Sequence, residues 1–379
     1  MSTFGTRIVE IDSVEPHPDA DAIEIVMVGR YRSIVRKDAD LKAGSRVAYV
    51  QEASLLPEYL LKRLGLWNEE LGQGKLGGPG YNRVSPMRLR GVFSQGICLP
   101  AFSDADDPAL VWVEGESERF SARLGDDLAD ELGICKWVPI VPPELLGDVF
   151  PAEQRLTVDF DVEDVKAYPD VIAPGEEVEF REKLHGVFTG VSVVPVVDAI
   201  PEAFGSRKNV LLYSKGLGAQ GMAFADTEGN STSVYVRSTE TLRRRIEELA
   251  FDLDEPLTVM GETVGPGVQD LHYGGALQFR IFAACSGYRG DHRYFNADDL
   301  ATLAKDLGVE LVPVLYRGPF SWGALEEHTN GATALGGKHV REGVVVTPVV
   351  ERKDLRLGRV ALKSVSEKYL LRKGGTEYS

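Results

Sequence analysis

EKLHGVFTGVSVVPVV, residues 182–197, is the stretch on which the reading of this chain turns. A polar pentapeptide, Glu182 to Gly186, sets a lysine and a histidine two positions apart and runs straight into a β-branched and aromatic strand pattern over 187–197. Five further short stretches follow in chain order: SKG (Ser214 to Gly216), GETVGPG (Gly261 to Gly267), FRIF (Phe279 to Phe282), REGVVV (Arg341 to Val346) and LKS (Leu362 to Ser364). Each lies on or beside a run that reads as strand, namely 210–214, 257–262, 277–283, 343–348 and 359–364. Singly such tripeptides are common; six in order, each at a strand, form a pattern.

Two helices are expected among these strands. NADDLATLAKDLG (296–308) has Asn296 as its cap, acids in its first turn, an apolar stripe of Leu300, Leu303, Ala304 and Leu307, and Gly308 as its stop. TLRRRIEELAF is striped by Leu242, Ile246 and Leu249, which leaves Arg243 to Arg245 for solvent. His272 and His292 lack a second histidine at ligand spacing, and GPG at 265–267 reads as a turn. This half of the chain is α+β.

The chain has 379 residues, enough for two domains, and a formal charge of −16. That charge is localised. Residues 1–100 hold 13 Lys+Arg and 12 Asp+Glu, residues 101–182 hold 6 and 22, and the remainder holds 23 and 24. The acidic segment reads as a solvated surface. Its proline-rich stretch, VPIVPPELLGDVFP at 138–151, reads as a connector, with a domain boundary near residue 150 (1–150 and 151–379). Cys98, Cys135 and Cys285 are too few and too scattered for a disulfide framework or a thiolate zinc site. With no apolar run near 18 residues and a charged start, MSTFGTRIVEID, a membrane partner is not expected and a cytoplasmic location is.

In the first hundred residues, IEIVMV (23–28), RVAYVQ (46–51) and GICLP (96–100) are short strands separated by turns, the pattern of a small barrel. VEPHPDADAIEIV (Val14 to Val26) and MRLRGVFSQGICLP (Met87 to Pro100) resemble the two ends of tRNA-binding-type OB-folds. Such a domain would offer Arg30, Tyr31, Arg32, Arg36, Lys37, Arg88 and Arg90 to nucleic acid. GQGKLGGPG (72–80) lacks P-loop spacing and reads as a mobile loop.

The six-part set resembles the nucleotidyltransferase motifs of the covalent ligase superfamily. Its K-x-H-G form and the domain order are most similar to ATP-dependent RNA ligases of the Deinococcus type. The fold implied is an N-terminal OB-like β-barrel followed by a ligase-type nucleotidyltransferase domain of antiparallel sheets flanked by helices. The resemblance implies Lys183 as the nucleophile that takes AMP from ATP. A free lysine has a pKa of about 10.4, so its amine must be kept neutral by its surroundings. Lys215 and Lys363 would stabilise phosphoryl charge; Glu182, His185, Gly186, Glu262 (ribose), Phe282 (adenine stack) and Glu342 would bind the nucleotide, and Glu342 a Mg2+ or Mn2+ ion. His185 would contact the phosphates or orient the lysine strand. Ala361 and Ala283 stand where relatives often carry a second lysine and an acid.

Only 16 residues follow Lys363, against the C-terminal OB domain of about a hundred that DNA ligases and capping enzymes carry there. An RNA ligase acting as a monomer on nicked RNA or RNA/DNA duplexes is therefore expected, with RNA on the 3′-OH side. RNA would avoid residues 101–182. The alternatives are a non-catalytic RNA-binding OB protein and a ligase using DNA or GTP.

Overall fold

The computed structural model describes residues 4–139, 147–159, 161–195, 209–215, 222–249, 253–372 and 374–376. The chain divides into two units, 2–138 and 139–379.

In the first unit, Arg46–Val50 is the central strand, flanked antiparallel by Thr6–Glu10 and Ile97–Pro100. Its side chains alternate between two cores: Ala48 and Val50 join Ile8, Leu60 and Leu99, whereas Val47 and Tyr49 join Ile11, Val26 and Cys98. That is period-two patterning realised on both faces. A meander of Ser13–Pro16, Ile23–Val28 and Tyr31–Arg36 completes this region.

The two signature stretches of this unit meet through His17, which is buried. Its Nδ1 accepts from Asp19 N at 3.1 Å, leaving Nε2 to donate to Leu89 O at 3.1 Å. Leu89 ends a hairpin (Met87–Leu89 with Val92–Ser94) whose two-residue turn puts Arg90 and Gly91 at φ 44° and 87°. Both signs are those of a type I′ turn. Arg30, Arg32, Arg36, Lys37, Arg88 and Arg90 are all exposed.

The segment 72–80 corrects the expectation of a mobile loop. Gln73–Gly74 pairs with Trp67–Asn68, Leu76 is buried, and Gly77 bridges Arg83. A Cβ on Gly74 would lie 2.0 Å from Tyr81 O, so this glycine serves close packing.

Among the described residues the second unit holds two main sheets and a small hairpin, Lys353–Asp354 with Gly358–Arg359. The larger runs Val149–Pro151, Met222–Phe224, Val210–Ser214, Val187–Val193, Leu257–Val264, Gln278–Ser286 and Arg293–Tyr294, in spatial order. The smaller runs Glu163–Asp164, Leu362–Val365, Gly343–Pro348, Glu177–Lys183 and Val314–Pro319. Among the described residues every strand pairing within these two sheets is antiparallel except that of Glu163–Asp164 with Leu362–Val365. Helices Glu240–Leu249 and Ala297–Leu307 cover the larger sheet through Leu242, Ile246, Leu300 and Leu307. Helix Trp322–Thr329 covers the smaller through Leu325, which packs with Phe180 and Val344. The chain leaves the smaller sheet at Lys183 and enters the larger at Val187, so Leu184, His185 and Gly186 are the crossover between them.

Three further expectations are corrected. Asn296 sits at the helix N-terminus but caps nothing with its side chain, whose Oδ1 instead accepts from Glu351 N at 2.9 Å. Arg243 is buried, because Glu240 and the Val236 carbonyl give its guanidinium partners; Arg244 is exposed as expected. The acidic segment is not wholly solvated: Glu179 and Glu182 are buried where its last residues enter the smaller sheet. The connector residues 140–146 lie outside the described residues, as do 196–197 of the expected strand and Gly216. No described helix is long and apolar enough to cross a membrane.

Candidate active site

Register explains how the candidate residues come together. Lys183 pairs with Gly343, which places Glu342 beside it, and Lys183 Nζ lies 2.6 Å from Glu342 Oε1. A Cβ on Gly343 would stand 2.0 Å from Ser364 O, so glycine is required where the third strand passes. Lys363 lies on that strand, opposite Val345. Among the described residues it shares no hydrogen bond or ion pair with the other candidates. It acts on Asp164, whose carboxyl is pushed up by burial against the pull of Lys166 and Lys363.

The crossover is pinned from both sides. Gly186 N donates to Glu262 Oε1 at 3.1 Å, and Gln269 donates to Gly186 O. A Cβ on Gly186 would meet Thr263 O at 2.2 Å, which excludes any other residue. Burial pushes Glu262 up to about 8, although Lys183 pulls it down; Glu342 adds to the rise. An acid whose folded pKa is raised binds its proton more tightly folded than unfolded, so stability falls as pH climbs from its ordinary value of 4.5 towards 8. Ligand-free Glu262→Gln protein should therefore melt a few degrees above wild type at pH 8 and level with it at pH 4, a contrast that thermal melts at both pH values check.

Two carboxylate oxygens in this region, Glu182 Oε1 and Glu342 Oε2, are buried with no hydrogen-bond partner among the described residues. The second oxygen of Glu182 accepts from Ala334 N at 2.8 Å. An orphaned, solvent-shielded carboxylate oxygen is costly unless a cation or donor arrives. No group of three or more His, Cys, Asp or Glu side chains among the described residues could hold a metal ion. The unpartnered Glu342 oxygen is of the hard type that suits a divalent ion whose shell water and phosphates complete.

Phe282 is half-buried, with its ring centroid 6.1 Å from that of Phe188. Ile281 pairs with Gly261 and Ala283 with Met260, so Phe282 is the extra residue of a β-bulge, a device that re-aims a side chain. Arg181, which the sequence did not single out, fixes it from behind. Its buried guanidinium bonds Glu179 at 2.9 and 2.6 Å and reaches Phe282 O at 3.3 Å. Alternation along the strand was the available signal, since Glu179, Arg181 and Lys183 share one side. Lys215 forms an ion pair with Asp161, likewise unforeseen, and lies close enough to lower the Glu262 pKa.

His185 is buried in a polar nest. Its backbone N donates to Tyr273 OH at 2.7 Å, and its ring lies 2.8 Å from Asp270 Oδ1 and 2.8 Å from Tyr369 OH. Burial lowers the His185 pKa against the pull of Glu342 and Asp270, so the ring is neutral at pH 7. Hydrogen bonds from Thr376 and His185 and the charge of Arg372 hold Asp270 below the usual carboxylate range, outweighing its burial.

A lysine where the chain passes from one sheet to the next, paired with Glu342 and close enough to Glu262 to lower its pKa, suits a nucleotidyltransferase, and the preceding unit matches an OB-fold domain over residues 6–101. Residues 176–365, half of the chain, match the RNA ligase family. The chain belongs to that family. Solved structures of the same fold include Naegleria gruberi RNA ligase in three forms. A lysine-to-methionine mutant with AMP and Mn has a TM-score of 0.72 at 22% identity. The ligase with PPi has 0.72 at 21%, and a lysine-to-alanine mutant with ATP and Mn has 0.70 at 21%. Each alignment covers 96% of this chain and 97% of that chain. No curated protein matches the chain by sequence.

Proposed function

We propose that the chain is an ATP-dependent RNA ligase that seals nicks between a 3′-hydroxyl and a 5′-phosphate through a lysyl-AMP intermediate. The observation that carries this is the Lys183 amine 2.6 Å from Glu342, whose second carboxylate oxygen is buried without a hydrogen-bond partner among the described residues. The Lys183 nitrogen attacks the α-phosphorus of ATP, a P–N bond forms, and the bond to pyrophosphate breaks. AMP then passes to the 5′-phosphate of the nick, and the 3′-hydroxyl displaces it. Glu262 would bind the ribose, Phe282 the adenine face, and Lys215 and Lys363 the phosphate oxygens, with Lys215 leaving Asp161 to do so. Glu342, with Glu182 nearby, would hold Mg2+ or Mn2+. Such an ion would supply positive charge to the phosphates there.

The K-x-H-G motif and the OB unit ahead of the catalytic unit favour a Deinococcus-type enzyme that demands RNA on the 3′-OH side. The exposed Arg30, Arg32, Arg36, Lys37, Arg88 and Arg90 would meet phosphates of the duplex. The test is incubation with a divalent ion and α-labelled ATP or GTP, followed by nicks bearing RNA or DNA 3′ ends. Label from ATP alone, and sealing of the RNA-ended nick, are expected. Absence of label with both nucleotides overturns the proposal.

A further inference from the structure

The segment after the last strand of the smaller sheet, Ser366 to Thr376, contributes none of the six motifs, yet it touches both Glu342 and the crossover. Ser366 N donates to the Glu342 backbone carbonyl at 2.8 Å, and Tyr369, which is buried, brings its hydroxyl to 2.8 Å from His185 Nδ1. The two rings meet edge-on, centroids 5.5 Å apart and planes at 73°. Arg372 then lies over the Tyr369 ring at 3.7 Å, donates to Thr376 O at 3.1 Å and places Nε 3.5 Å from Asp270 Oδ2. Thr376 closes the loop: its N and Oγ1 each donate to Asp270 Oδ1 at 2.8 Å.

The shorter of the two contacts at Nε2 assigns the histidine's proton. An ionised aspartate only accepts, so Nε2 donates to Asp270 at 2.8 Å and carries the hydrogen. Nδ1 is then a lone pair, and the Tyr369 hydroxyl donates to it. The Arg372 amino group, 3.2 Å from Nε2, faces a nitrogen that is already a donor; its charge serves Asp270. Every polar atom of the ring is committed, two residues from Lys183 and one from Gly186.

Given the lysyl-AMP chemistry proposed above, on which this rests, we infer that Tyr369 and Arg372 are positioning residues for adenylyl transfer. They hold His185 in a single tautomer and orientation and so fix the short crossover that carries Lys183. Neither is among the residues proposed above to bind the nucleotide. Reaction rate depends steeply on the placement of the attacking atom, so loosening the ring slows attack more than it weakens ATP binding.

Tyr369→Phe keeps the ring and removes the hydroxyl. Expected are a roughly tenfold lower maximal rate of enzyme–AMP formation, a KM for ATP within about twofold of wild type, and loss of the single Nε2–H pattern of His185 in 15N NMR. In a His185→Ala background the same substitution should slow the reaction no further, because its effect runs through the ring. Arg372→Ala should lower the rate in the same direction. A Tyr369→Phe protein with wild-type rate, an unchanged His185 tautomer, or an equal slowing without His185 would each overturn the inference. Wild-type protein that takes no label from ATP would instead overturn the ligase chemistry itself.

Discussion

Lys183→Ala protein, incubated with a divalent ion and α-labelled ATP and then denatured, is expected to carry no label, a loss of at least about 10^4-fold in adenylylation. Lys215 and Lys363 cannot stand in for it. One follows a strand of the larger sheet and is paired with Asp161; the other lies a strand further over, opposite Val345. The same protein should still join a nick whose 5′ end is already adenylylated, within about tenfold of wild type, because the lysine is consumed only in making that species. Retained sealing distinguishes loss of a nucleophile from loss of fold. Label that survives the substitution would move the attacking atom elsewhere.

Glu342→Gln is the second large effect expected. The change removes the charge beside Lys183 and the orphaned oxygen Oε2 while keeping nearly the same volume. Adenylylation should fall by about 10^2- to 10^3-fold, the scale on which preplaced electrostatic groups act. The divalent-ion concentration for half-maximal rate should rise. Stability should stay roughly level, since loss of the ion pair with Lys183 is offset by removal of a buried, unpartnered carboxylate charge. Activity lost without a fall in melting temperature marks a group kept for function. A variant with wild-type metal dependence would remove Glu342 from the ion's shell.

Much of this architecture is legible in the sequence. Val210–Ser214 and Gly343–Pro348 fall where their apolar, β-branched runs say they should, and Ala297–Leu307 stops at Gly308, whose φ of 60° is the left-handed end that glycine provides. Those signals are local. What escaped is long-range: Arg243 looks like a surface arginine until Glu240 and the Val236 carbonyl are seen to receive it. The bulge that turns Phe282 depends on register with Met260 and Gly261, which no single strand encodes. Asp161, Arg181 and Tyr369 are ordinary in their own neighbourhoods and become part of the site only through partners 54, 101 and 184 positions away.

The crossover at Leu184, His185 and Gly186 also has a mechanical side. It is the covalent joint between two sheets, with Lys183 as the last residue on one side and Val187 as the first on the other. A joint that short leaves little slack, so a change in the angle between the sheets would carry the amine with it. A nucleotide gripping Glu262 and Phe282 on one leaf and Glu342 on the other would splint that joint, and its departure as AMP would release it. Lys183 is thus mounted at the joint, so that any opening or closing of the leaves would carry its amine with them.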